Sequence, residues 1–133
     1  MATVELHAQN FEDTILQNPI VVIDFWAPWC GPCRSFAPVY QEASERHGDV
    51  VFAKVNTDEQ QELAQACEIR SIPTVMIFRE RILLFSQPGA LPADAFEQVL
   101  TQVKGLDMDD VRRQIAEIER GEAGAEDGER EPS

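Results

Sequence analysis

The chain is poor in the features that mark several large classes of protein. It carries 11 Lys and Arg against 24 Asp and Glu, a net charge of −13. A nucleic-acid binder needs a basic face to neutralise phosphates, so this deficit argues against nucleic acid. An anionic membrane surface is disfavoured for the same reason. Long apolar runs are missing too: the longest, Ile20 to Ala27, is broken by Asp24 and is far too short to span a bilayer. Between Met1 and Asn10 there is no basic start followed by an apolar stretch, so no secretory signal is expected and the default address is cytoplasmic. Cysteine is scarce, three in 133 residues, which does not suggest a structural disulfide framework where thiols are kept reduced. Two of the three are close together, however, and such a pair points to metal or redox chemistry.

What remains is the composition of a soluble globular protein, 44% hydrophobic and 26% charged, with length enough for one domain with a real core. The charge is uneven. Residues 1–106 hold 14 acids and 7 bases, whereas 107–133 hold 10 and 4. The last fifth of the chain thus carries nearly half of the acidic excess, which marks a boundary. The expected organisation is a domain over 1–105, an amphipathic helix over 106–120, and an acidic, disordered tail over 121–133.

Thr3 to Leu6 suits a short edge strand, and Asn10 suits an N-cap before Phe11-Glu12-Asp13. Ile20 to Trp26 is nearly continuous in β-branched residues, the pattern of a strand buried on both faces. Cys33 to about His47 has helical spacing, with Pro38 inside it and Gly48 closing it. Val50 to Val55 reads as a second central strand, and Asp58 as the N-cap of a short helix through Ala66. Thr74 to Phe78 and Ile82 to Phe85 read as a hairpin, and Pro92 to Lys104 as an amphipathic helix. The order β-α-β-α-β-α-β-β-α predicts an α/β fold: a central mixed sheet of about five strands, with helices on both faces. Leu106, Met108, Val111, Ile115 and Ile118 predict one more, C-terminal helix. Its stripe either packs on the domain or makes a surface for a second copy or a partner. A monomer is expected, with a dimer through that helix as the alternative.

Cys30 and Cys33 lie two residues apart at a helix start, a spacing that closes and reopens a small disulfide ring. Unpaired N–H groups and the positive helix end favour a thiolate at Cys30 and lower its pKa from about 8.5 to roughly 3.5–7.5. Cys33, one turn inside and less exposed, suits a resolving thiol. Pro32 fits the first turn, where its missing N–H costs nothing. A structural zinc wants four ligands. Beyond the pair the chain offers only Cys67, His7 and His47, none at ligand spacing. Asp24 inside an apolar strand has a pKa raised by desolvation and suits proton transfer near neutrality.

The stretch Trp29-Cys30-Gly31-Pro32-Cys33, preceded by Val22-Ile23-Asp24-Phe25-Trp26-Ala27, resembles the active-site signature of the thioredoxin family. The likeness continues through Phe52-Ala53-Lys54-Val55-Asn56-Thr57-Asp58 and Ile69-Arg70-Ser71-Ile72-Pro73-Thr74, to Pro88-Gly89-Ala90-Leu91 and the following helix. It covers roughly four-fifths of the chain. The resemblance implies Cys30 as attacking nucleophile and Cys33 as the thiol that releases the mixed disulfide. It implies Asp24 as the buried acid relaying a proton for Cys33, with Lys54 as its neighbour, and a cis peptide before Pro73. Trp29, Gly31, Pro32, Ile72, Pro73, Thr74 and Gly89 would line the client site, while Trp26 is as readily a packing residue. No bound cofactor is expected. Electrons would come from NADPH through a flavoprotein thioredoxin reductase, and the partners would be that reductase and disulfide-bearing client proteins.

Three features depart from the family pattern. Arg79-Glu80-Arg81 occupies the hairpin where a glycine-containing turn is usual, so a looser or strained turn is expected. Cys67 lies outside the motif, either as an unreactive, partly buried thiol or as a redox-sensitive or glutathionylated one. The extension after Gly105 has no counterpart in compact members. The function these readings predict is protein-disulfide reduction. An exported oxidase or isomerase is disfavoured by Gly31-Pro32 between the cysteines, and a redox-linked binding or chaperone module is the other alternative.

Overall fold

The computed structural model describes residues 3–130. Its elements are β1 (Thr3–Glu5), α1 (Phe11–Gln17), β2 (Ile20–Trp26), α2 (Gly31–Arg46), β3 (Val51–Asn56), α3 (Gln61–Ala66), β4 (Thr74–Arg79), β5 (Ile82–Pro88), α4 (Ala93–Gly105) and α5 (Met108–Arg130). The five strands form one sheet in the order β1-β3-β2-β4-β5. β1 and β2 run parallel to β3, while β4 is antiparallel to both β2 and β5. This is the mixed sheet expected, with one added antiparallel pair at its centre.

β2 shows why the sheet is covered on both sides. Its side chains alternate between two cores, because successive Cβ atoms leave opposite faces of a strand. Ile20 and Val22 join Phe36, Tyr40 and Ala43 of α2, and Phe96, Leu100 and Val103 of α4. Val21, Ile23 and Phe25 join Ile15 of α1, and Leu63 of α3 packs there too. The first core is built on rings. Phe36, Tyr40, Phe52 and Phe96 sit with centroids 5.4–6.3 Å apart, in tilted, edge-on and stacked pairs. The buried Tyr40 hydroxyl lies 2.6 Å from Ala53 O and 3.1 Å from Val22 O, so its polar end is satisfied by the backbones of β3 and β2.

Several helix ends differ from expectation. Asn10 stands at the N-cap of α1 but makes no capping bond. Its side chain instead accepts from His7 N–H at 2.8 Å and donates to Glu5 O at 3.1 Å, fixing the turn that leaves β1. α2 starts two residues earlier than Cys33, with Pro32 in its first turn, and ends at Arg46 with His47 donating its N–H to Ala43 O. Gly48 follows without taking a left-handed φ, so it does not close the helix. α3 starts at Gln61, with Gln60 rather than Asp58 as its cap.

The hairpin turn is tight, not loose. Only Glu80 and Arg81 separate β4 from β5, and both have positive φ, 51° and 73°. Glu80 N–H donates to Pro19 O at 2.7 Å, and the Arg81 guanidinium reaches Leu16 O at 3.3–3.4 Å. These bonds to the end of α1 and the residues after it hold side chains in a conformation that ordinarily asks for Gly or Asn.

The chain divides into two compact units, Met1–Val103 and Lys104–Ser133. In the second, Asp107 caps α5 by accepting from the N–H groups of Asp109 and Asp110 at 3.1 and 3.2 Å. Arg112 pairs with Asp109 and Arg113 with Asp110 along the first turns. The sequence placed the end of this helix near Arg120, with a disordered tail from Gly121. The backbone instead stays helical to Arg130. Residues 131–133 of that expected tail lie outside the described residues. No helix among the described residues is long and apolar enough to cross a membrane.

Candidate active site

The end of β2 runs through Trp26 and Ala27 into a short turn, and α2 begins directly after Cys30. Cys30 is itself the N-cap: its Sγ accepts from Cys33 N–H at 3.2 Å. The two cysteines are joined as a disulfide, with Cα atoms 5.2 Å apart. The N-terminal turn of α2 therefore points a backbone donor at Cys30, the arrangement that favours a thiolate once the bond is reduced. Arg34, one residue past Cys33, donates from Nη1 to Pro28 O at 3.0 Å and ties the turn shut. Gly31 and Pro32 open the first helical turn. A side chain at Gly31 would meet nothing within 4 Å, so space alone does not demand glycine there.

The expected difference in exposure between the cysteines is not seen. Both are 4% exposed, because Trp26 and Ile72 pack against them. Cys30 Sγ lies 3.8 Å from Ile72 O. The asymmetry lies in the backbone donor aimed at Cys30 rather than in its solvent contact.

The Ile72–Pro73 peptide is cis. Gly89 N–H donates to Pro73 O at 2.8 Å, and Gly89 has φ 102°, a conformation glycine adopts freely. Thr74 Oγ1 donates to Ser71 O at 2.7 Å, and Thr74 pairs with Pro88 in the sheet register. Ile72, Pro73, Thr74 and Gly89 are thereby brought together in one strip. Trp29 is 66% exposed, and its Nε1 donates to both Asp58 oxygens at 3.2 and 3.0 Å. Asp58 lies two residues before the Gln60 cap of α3, and its carboxylate serves Trp29 instead.

Asp24 is fully buried on the α2 side of β2, opposite Lys54 of β3 and Val75 of β4. Burial raises its pKa from 3.8 to about 7, with Lys54 pulling the other way. The Lys54 ammonium sits 4.7 Å from the centroid of the Trp26 ring. Cys67 is half-buried beside a cavity of about 210 Å³ shared with Arg70, Ser71 and Thr74, and burial pushes its thiol pKa up. Among the described residues there is no group of three or more His, Cys, Asp or Glu placed to hold a metal ion.

Of the residues singled out in the sequence, Cys30, Cys33 and Ile72 fall in one cluster, and Asp24 and Lys54 lie opposite each other on β2 and β3. The sequence reading missed Asp58 as the partner of Trp29, Arg34 as the clasp on Pro28, and Trp26 as the neighbour of Lys54. Trp26 did carry a signal, since it sits in β2 at the same parity as Asp24.

Residues 2–102 match the Thioredoxin family. The chain belongs to the thioredoxin family. It is 55% identical over 116 residues to putative thioredoxin 2 of Streptomyces coelicolor, covering 87% of each chain. That alignment is too long to end at residue 102, so it takes in part of the extension. Thioredoxin 1 of a Nostoc species is 41% identical over 101 residues, 74% of this chain and 94% of the relative. Among solved structures, a single-substitution mutant of a thioredoxin from Halobacterium salinarum superposes with a TM-score of 0.73 at 30% identity. The match covers 80% of this chain and 94% of that one. A Plasmodium falciparum thioredoxin gives 0.70 at 33% identity, over 74% and 97%. With its disulfide-forming CxxC pair, the chain is a thiol–disulfide oxidoreductase, a protein-disulfide reductase acting on disulfide-bearing client proteins. Thioredoxins need no bound cofactor.

Proposed function

We propose that the chain reduces client disulfides with Cys30 as nucleophile and is recycled by an NADPH-dependent flavoprotein reductase. The observation that carries this reading is the Cys33 N–H directed at Cys30 Sγ across the first turn of α2. The Cys30 thiolate attacks one client sulfur, forming a mixed disulfide and expelling the other sulfur as a thiolate. Cys33 then gives its proton to the Asp24 carboxylate and attacks Cys30 Sγ. The Cys30–Cys33 disulfide forms and the second client thiolate leaves. Two electrons have passed to the client, and two from NADPH, delivered through the reductase, restore the dithiol. Lys54 is the charge that tunes Asp24. Trp29, Gly31, Pro32, Ile72, Pro73, Thr74 and Gly89 form the client strip, where an extended segment hydrogen-bonds to exposed backbone. A reducing compartment such as the cytoplasm is the setting that suits this direction of electron flow.

An NADPH-coupled insulin reduction assay with a thioredoxin reductase tests the proposal. Wild type turns over, and Cys33→Ser accumulates covalent client adducts through Cys30. Absence of adducts in that variant would refute the assignment of the resolving thiol, and no NADPH oxidation with any thioredoxin reductase would refute the recycling route.

A further inference from the structure

Trp26 touches two parts of the site at once. On one side it packs against the Cys30–Cys33 cluster, and on the other its ring face meets the Lys54 ammonium at 4.7 Å. It leaves β2 on the same side as Asp24, two residues away. Trp26 Nε1 and both Asp24 oxygens are the buried side-chain atoms without a hydrogen-bond partner among the described residues. The indole therefore contributes its face, not its N–H. Lys54 faces Asp24 from β3, Tyr40 of α2 feels its charge, and the β4 neighbour Val75 does not titrate. Of these groups Lys54 alone brings positive charge.

We propose that Trp26 is a positioning residue for the Asp24 proton relay, its indole face holding the Lys54 ammonium beside the buried carboxyl. The inference rests on the reading of Asp24 as the acceptor of the Cys33 proton. A lysine ammonium is a strongly hydrated charge on a flexible stem, so in the absence of a partner it turns to water. Without the ring face Lys54 swings outward, its attraction on Asp24 falls, and the carboxyl keeps its proton to higher pH.

The test is single-turnover reduction of a protein disulfide by the reduced full chain, followed across the pH range bracketing about 7. Trp26→Leu should move the Asp24-dependent inflection upward by roughly 0.5–1 pH unit. Trp26→Phe, which keeps a ring face, should move it less. In a Lys54→Met background, Trp26→Leu should add nothing. The same upward movement in that background would overturn the proposal, because the ring would then act through burial alone. An unmoved inflection in Trp26→Leu would overturn it as well. Should Trp26→Leu not fold, the ring-current shift of the Lys54 ε-methylene protons in the wild type decides, and its absence refutes the contact. An inflection that survives Asp24→Asn would sink the relay reading itself, and the Trp26 role with it. Insulin reduction by the wild type tests the broader function independently.

Discussion

The two ends of the sheet solve opposite problems with unusual backbone. At the cysteine end, the special positions are occupied by residues suited to them: Pro73 follows a cis peptide and Gly89 has positive φ. At the hairpin end, positive φ falls to Glu80 and Arg81, side chains that resist it. A non-glycine residue in that region costs on the order of 1 kcal/mol or more. The hairpin tolerates the cost because Pro19 O and Leu16 O accept bonds from the turn, and because Arg79 Nη1 reaches Val103 O at 2.8 Å. One end carries the disulfide and the strip proposed to meet clients, and the other is held by its own neighbours. Changes at the first should therefore register in chemistry and, at the buried Asp24, in pH-dependent stability, whereas changes at the second should register in stability alone.

The largest expected effect is at Cys30. Cys30→Ser should abolish turnover in the insulin assay while leaving the thermal midpoint of the reduced protein nearly unchanged, and residual turnover would break the comparison at its strongest point. Next comes Asp24. Its folded pKa of about 7 lies above its ordinary 3.8, so the folded state binds its proton more tightly. The stability this supplies is complete below about pH 3.8 and is lost as pH rises through about 7. Asp24→Asn does not ionise, so it should gain up to about 4 kcal/mol over wild type at pH 8 and almost nothing near pH 4. Urea denaturation at both values reads this directly, and an equal gain at both would contradict the assigned titration. The same variant should slow resolution of the mixed disulfide near neutral pH.

At the hairpin, replacing Glu80-Arg81 by Asn-Gly should stabilise the protein by about 1 kcal/mol, after allowing for the lost Arg81 bond, with unchanged insulin reduction. A fall in activity would mean that the two ends are coupled. The smallest effect belongs to Asp58. Asp58→Ala removes the acceptor for the exposed Trp29 indole, a bond worth ~0.5 kcal/mol, and should raise KM for protein disulfides about twofold. Reduction of a small-molecule disulfide should stay the same.

Most of this architecture could be read in the sequence because its signals are local. The unbroken run Ile20–Trp26 announces a strand with no solvent face, and Asp24 within it stands out as the one group that must be explained. Cys30 and Cys33 carry their spacing with them. What escaped the sequence depends on contacts made across the chain. Asp58 looked like a helix cap, but α3 begins only after Gln60, and the Asp58 carboxylate accepts from Trp29, far earlier in the chain. Asn10 looked like a cap too, but His7 and Glu5 take its side chain. Cys30 was expected to be open because its neighbours in sequence are turn residues. Ile72, brought in by the loop before β4, covers it. The tightness of the Glu80–Arg81 turn was equally illegible, since the carbonyls that restrain it belong to the end of α1 and the residues after it.

The placement of Tyr40 has a practical consequence. It is the one tyrosine of the chain, wedged against the backbones of the two strands that carry Asp24 and Lys54. Burial, and then the Asp24 charge, raise its pKa well above the ordinary value, so the phenol stays protonated through the neutral range. The molecule thus contains a resident gauge. In protein labelled with 13C-tyrosine, its single phenolic carbon resonance should move as Asp24 ionises, and so read that titration without a substitution at the site.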